Sequence, residues 1–184
     1  MRQLRLRLTS TAALVLLVAL GARAGEHAAA SEPATWVQYN LLVDLQHLPK
    51  HYSCNDLWYR FRDVLWSIGA RRISEILVYD CDRATRADAP RVHLAFSLPQ
   101  PAQGAQAKQA TLRGTPASVE LRPGQPKSFD ESDCALLGQI NATLLAALPV
   151  RVSAHGLDCS AAAGRHPPFG LTVQALVPTT AGSG

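Results

Sequence analysis

The residues of this chain best equipped for chemistry are four cysteines, two histidines beside the first of them, and a run of aromatic side chains around residue 60. Cys54 heads a segment with helical periodicity. A free thiol at a helix N-terminus is acidified and becomes a nucleophile. Redox enzymes that use such a thiol pair it within a CxxC motif, and here the closest two cysteines, Cys134 and Cys159, stand 25 positions apart. His47, His51 and Cys54, followed by Asp56, are the best metal-ligand cluster by type. Their spacing matches none of the recognised zinc patterns, and the second half of the chain has no histidine in the corresponding place. His93, His155 and His166 are isolated. There is no hydrolase elbow, phosphate-cradling glycine loop or zinc-protease helix. The sequence therefore predicts no metal site, no cofactor and no catalytic residue.

Two other sets of residues point to binding. Gln38, Asn40, Asp44, His93, Ser97, Glu120, Arg122, Thr172 and Gln174 all occupy the polar phase of alternating segments. Amides, hydroxyls and single charges of both signs suit a peptide or glycan. Tyr59, Arg62 and Trp66 recur at helical spacing, off the apolar stripe of their helix. Tyrosine, tryptophan and arginine are frequent anchors of protein interfaces. The expected binding residues are thus Tyr59, Arg62 and Trp66, with Gln38, Asn40, His93, Thr172 and Gln174 on the sheet.

The elements that position these residues are repeated. An offset of 80 lays Cys54 on Cys134, Leu57 on Leu137, Val64 on Leu144, Leu65 on Leu145 and Ile68 on Leu148. Offsets of 76 to 79 align the flanking strands, including Asp80-Cys81 with Asp158-Cys159. Self-similarity at a fixed spacing means that each copy is one supersecondary unit. In the first copy, Val37, Tyr39, Leu41, Val43 and Leu45 alternate as in a half-buried strand. Ser53 and Asp56 form a capping pair ahead of Leu57, Phe61, Val64, Leu65 and Ile68 at helical spacing, and Gly69 stops that helix. Ile76 to Cys81 and Val92 to Leu98 follow as strands. In the second copy Val119 and Leu121 open the unit. Asp130, with Asp133 after it, caps a helix that Pro149 ends, and two strands close it.

The expected fold is α+β: a tandem βαββ repeat whose predominantly antiparallel mixed sheet of about six strands carries two helices on one face. The repeats span 25–100 and 117–179, with a connector rich in Ala, Gln, Gly and Pro over 101–116 and a flexible tail at 180–184. One repeat alone is too small for a stable core, so the two are expected to share one. The repeat also selects a cysteine connectivity. One staple per copy gives Cys54–Cys81 and Cys134–Cys159, each worth roughly 3 kcal/mol in the chain-entropy model.

Residues 1–24 read as a signal peptide: Arg2, Arg5 and Arg7, a short apolar run from Ala12 to Leu20, and Ala22-Arg23-Ala24 as the cleavage pattern. Four of the 18 basic residues leave with it and none of the 14 acidic ones, so the mature chain balances 14 against 14. A neutral chain without basic runs is a poor partner for nucleic acid or an anionic bilayer, and no stable membrane insertion is expected after cleavage. Paired cysteines fit an oxidising compartment. The expected protein is exported, periplasmic if the source is Gram-negative and otherwise secreted, and it binds an envelope protein, peptide or glycan without catalysis. The alternatives are an envelope hydrolase or thiol oxidoreductase, and a structural subunit of an envelope complex.

Overall fold

The computed structural model describes residues 30–46, 48–49, 51–81, 89–157, 159 and 168–179. The signal-peptide segment, His47, Asp158, His166 and the tail at 180–184 lie outside them. In chain order the elements are β1 (Glu32–Asp44), α1 (Cys54–Ser67), β2 (Arg71–Tyr79), β3 (Arg91–Pro101), α2 (Ala105–Gln109), β4 (Leu112–Leu121), α3 (Cys134–Thr143), β5 (Arg151–His155) and β6 (Gly170–Pro178).

The six strands form one open sheet in the order β2-β3-β1-β4-β6-β5, and every neighbouring pair is antiparallel. The architecture is α+β as expected, but the sheet is not mixed. β1 and β2 run in the same direction, as a strand–helix–strand passage demands, yet β3 lies between them and pairs antiparallel with both. β5 and β4 are separated by β6 in the same way. The third strand of each half returns into the gap its helix leaves, which removes every parallel ladder. β1 and β4 pair over three residues only, Glu32–Ala34 against Leu112–Gly114. The sheet is thus two three-strand groups joined by a short central overlap.

Alternation decides which side of the sheet is dry. Val92, Leu94, Phe96 and Leu98 of β3 are buried and lie opposite Val43, Leu41, Tyr39 and Val37 of β1. Leu121, Leu171 and Val173 continue that side in the other group. Leu57, Phe61, Val64 and Leu65 of α1 and Leu136, Leu137 and Ile140 of α3 belong to the same apolar cluster. Each such side chain contributes about 1.5–3 kcal/mol by leaving water.

Local signals set the helix ends. Ser53 accepts from the Asp56 N–H at 3.1 Å while the Asp56 carboxylate accepts from the Ser53 N–H at 3.2 Å, a complete capping box. At the other end Gly69 sits at φ 90°, and the N–H groups of Gly69 and Ala70 close onto the carbonyls of Trp66 and Leu65. That left-handed finish favours glycine. Asp130 and Asp133 form the second capping box, on a short 3-10 turn (Glu131–Asp133) that leads into α3. α3 tightens into another 3-10 turn (Leu145–Ala147) before Leu148 turns extended ahead of Pro149.

The stretch read as a connector over 101–116 is mostly structured. β3 runs on to Pro101, a third, five-residue helix (α2) follows, and β4 already begins at Leu112. Alanine and glutamine are good helix formers, so composition alone does not separate a polar linker from a short exposed helix. Cys54 pairs with Cys81 and Cys134 with Cys159, with Cα separations of 5.2 and 5.7 Å. Each helix start is held to the chain just beyond the strand that follows it.

Candidate functional site

The aromatic face of α1 is built around Arg62. Its guanidinium carbon lies 4.8 Å from the ring centre of Tyr59, 4.9 Å from Trp66 and 5.1 Å from Trp58. Trp58 and Tyr59 meet edge to face at 5.0 Å. Asp63 accepts from Arg62 Nε and Nη2 at 2.9 and 2.6 Å, which offsets the charge and fixes the plane of the guanidinium. The positions follow from helical geometry: residues three and four apart share a face, so Arg62 reaches Trp58, Tyr59 and Trp66 from one place. Burial does not absorb the two outer rings. Tyr59 and Trp66 keep 42 % and 54 % of their surface in water. Cation–π contacts of this exposure are worth about 0.5–1 kcal/mol. Their main effect is to hold the rings in one arrangement, so little rotamer freedom remains for a partner to freeze. The structure brings Tyr59, Arg62 and Trp66 together as one cluster and adds Trp58 to it.

Trp66 also borders a groove of about 610 Å³ whose other lining residues are Arg71, Arg72 and Ile73, at the start of β2. Sequence reading missed these three. The doublet Arg71-Arg72 followed by Ile73 was a visible signal, but nothing local places it beside a helix residue five positions earlier.

The polar side of the sheet carries the other expected residues. Gln38 and Asn40 are exposed on β1, and His93 lies between Asn40 and Glu75 on β3. One ring nitrogen of His93 is 2.6 Å from Asn40 Oδ1, and the other is 3.5 Å from Glu75 Oε2. In the other group Thr172 donates to Glu120 at 2.8 Å and Gln174 to Ser118 at 3.0 Å. These hydrogen bonds run across strands within each three-strand group. Gln38, Asn40 and His93 therefore belong to one polar ladder, Thr172 and Gln174 to another. Leu42, Leu77 and Tyr79 stand among the first set and are 57 %, 40 % and 42 % exposed. That side is more apolar than alternation alone suggested.

A buried polar network was also missed. Asp133 is fully buried, and Arg60 nearly so. Arg60 Nε donates to Asp133 Oδ2 at 3.0 Å, Tyr52 Oη donates to Asp133 Oδ1 at 2.8 Å, and the Asp130 N–H donates to Asp133 Oδ2 at 2.8 Å. Arg60 Nη2 reaches Asp130 at 3.4 Å. Burial, then the bond to Asp133 and its charge, push the Tyr52 phenol well above its ordinary range, against a smaller opposing pull from Arg60. The network joins the start of α3 to α1. Its centre, Asp133 with Tyr52 and Arg60, is buried, while Asp130 at its edge stays exposed.

Among the described residues no group of three His, Cys, Asp or Glu side chains gathers where a metal ion could be held. Cys54 is engaged in its disulfide. No helix among those residues is long and apolar enough to cross a membrane. No protein-family model matches the chain, and no curated protein or solved structure is significantly similar to it.

Proposed function

We propose that the mature chain is an exported, non-enzymatic binding or accessory protein of the cell envelope, periplasmic in a Gram-negative cell and otherwise secreted. The observation that carries this reading is the ordered cluster of Tyr59, Arg62 and Trp66, whose two outer rings remain in water although the arginine is already stacked and paired. The cation–π contacts stabilise the monomer only modestly, and a partner that covers the rings gains contact area at low entropic cost. The partner class is an envelope protein, a peptide or a glycan. Two disulfides in a chain of this size support an oxidising destination.

The scaffold is, in our reading, two copies of one βαββ unit. Three features support it. Each half places its third strand between its first and second, each opens its helix after a capping box, and each closes one disulfide over 27 or 25 positions. Only the first copy carries the aromatic cluster, since Gln139, Ala142 and Ala146 stand at the matching positions of the second. The aromatic residues are therefore an addition to the unit rather than part of what folds it.

Retention of the purified mature protein on sacculi and on immobilised envelope proteins tests the proposal. Binding to one of the two is expected, weakened about tenfold by Trp66→Ala, which corresponds to ~1.4 kcal/mol. Absence of retention on both matrices would contradict it.

A further inference from the structure

Among the described residues β2 is an outer strand that pairs only with β3, so half of its backbone N–H and C=O groups face away from that sheet. Its start departs from regular pairing. The register shifts between Arg71 and Glu75, and Arg72 adopts φ 52°. Consecutive side chains of a regular strand point to opposite faces. The bulge breaks that alternation, and Arg71 and Arg72 are both exposed. With Trp66 and the half-buried Ile73 they line the open groove of about 610 Å³.

The charge of this groove is unbalanced. Asp63 is taken by Arg62, and Glu75 faces His93. Arg71 donates to the carbonyl of Ala70 at 2.9 Å. Among the described residues no carboxylate pairs with Arg71 or Arg72. Two guanidinium forks, an exposed indole and a strand edge with no partner strand among the described residues thus lie together.

We propose that this groove and the outer edge of β2 receive an extended acidic peptide strand, which deepens the binding-protein reading above and rests on it. Main-chain hydrogen bonds to β2 hold the peptide as an added strand. A carboxylate meets Arg71 or Arg72, whose planar forks match carboxylate geometry. An apolar side chain of the peptide lies on Trp66 and Ile73. A small free anion would satisfy the arginines but use neither the indole nor the strand edge. A second copy of the chain would bring two further arginines to the same edge.

The probe is a fluorescein-labelled octapeptide of alternating glutamate and leucine, followed by anisotropy against the full mature protein. A lysine–leucine peptide of the same length is the control. The glutamate peptide should bind and the lysine peptide should not. Affinity should fall at least about tenfold in Arg71→Ser/Arg72→Ser and in Trp66→Ala, and also at high salt. Unchanged circular dichroism would show that these exposed substitutions leave the fold intact. Equal binding of both peptides, equal affinity of the arginine variant, complete competition by free glutamate at the peptide's own concentration, or peptide-independent dimerisation lost in that variant would each overturn the proposal. Envelope retention of the same proteins separates the two readings. Wild-type retention by the arginine variant would overturn the groove and leave the broader reading standing. Peptide binding without any envelope retention would do the reverse.

Discussion

Asp133 shows what a single residue can hide. In the sequence it is the third residue after a cap, an arrangement normally solvated at a helix start. In the fold its carboxylate is fully buried and receives Arg60, Tyr52 and a backbone N–H. The cap was legible because it is local. The burial was not, because Arg60 and Tyr52 come from 73 and 81 positions away. Removing Arg60 as Arg60→Ala strands that charge in the core and should cost about 3–5 kcal/mol in urea unfolding. Tyr52 gives a pH signature. Its folded phenol is raised above the ordinary value, so the unfolded chain gives up this proton first, at about pH 10. The stability it contributes is intact below that pH and is lost as pH rises above it, by up to ~1.4 kcal/mol per pH unit. Tyr52→Phe should cost about 1 kcal/mol at neutral pH through the lost bond to Asp133. It should also flatten the alkaline decline, as measured by unfolding from pH 8 to 11. Tyr39 is shifted in the same direction by burial, so part of the decline should persist.

At the scale of elements, periodicity carried most of the reading. The alternation of β1 and β3 and the stripe of α1 were visible because one side of each meets the core. The ends were visible where a cap or a glycine marks them. Gly69 is the clearest case. Its φ of 90° excludes most side chains, and an added Cβ would lie 2.9 Å from the Leu176 carbonyl oxygen of β6. Gly69→Ala should therefore destabilise by about 1–3 kcal/mol, read as a lower urea midpoint with an unchanged slope. The start of β2 was read too late, at Ile76 rather than Arg71, because the bulge interrupts alternation there. The same interruption hid the arginine groove. α2 was hidden differently: none of its residues is buried, so no stripe betrays it.

At the scale of the whole molecule, the order of the strands was the least legible feature. The sequence required three strands and a helix per half but left the position of the third strand open. Cross-strand burial places it in the gap between the other two, which also makes the sheet wholly antiparallel. Cysteine pairing was legible because sequence offsets of 80 and 78 lay Cys54 on Cys134 and Cys81 on Cys159. Native protein should therefore show no thiol reactive toward a labelling reagent. Replacing one staple by Cys54→Ser/Cys81→Ser should cost about 2–5 kcal/mol, measured against the intact protein under oxidising conditions. The two halves differ where function is proposed, since the first carries an exposed aromatic cluster and the second, at the same helical positions, does not. A photoreactive phenylalanine analogue placed at Trp66, and separately at the equivalent exposed Ala146, tests that difference in intact cells. A discrete cross-linked envelope species is expected from position 66 and none from position 146. Equal products at both positions, or none at either, would contradict it.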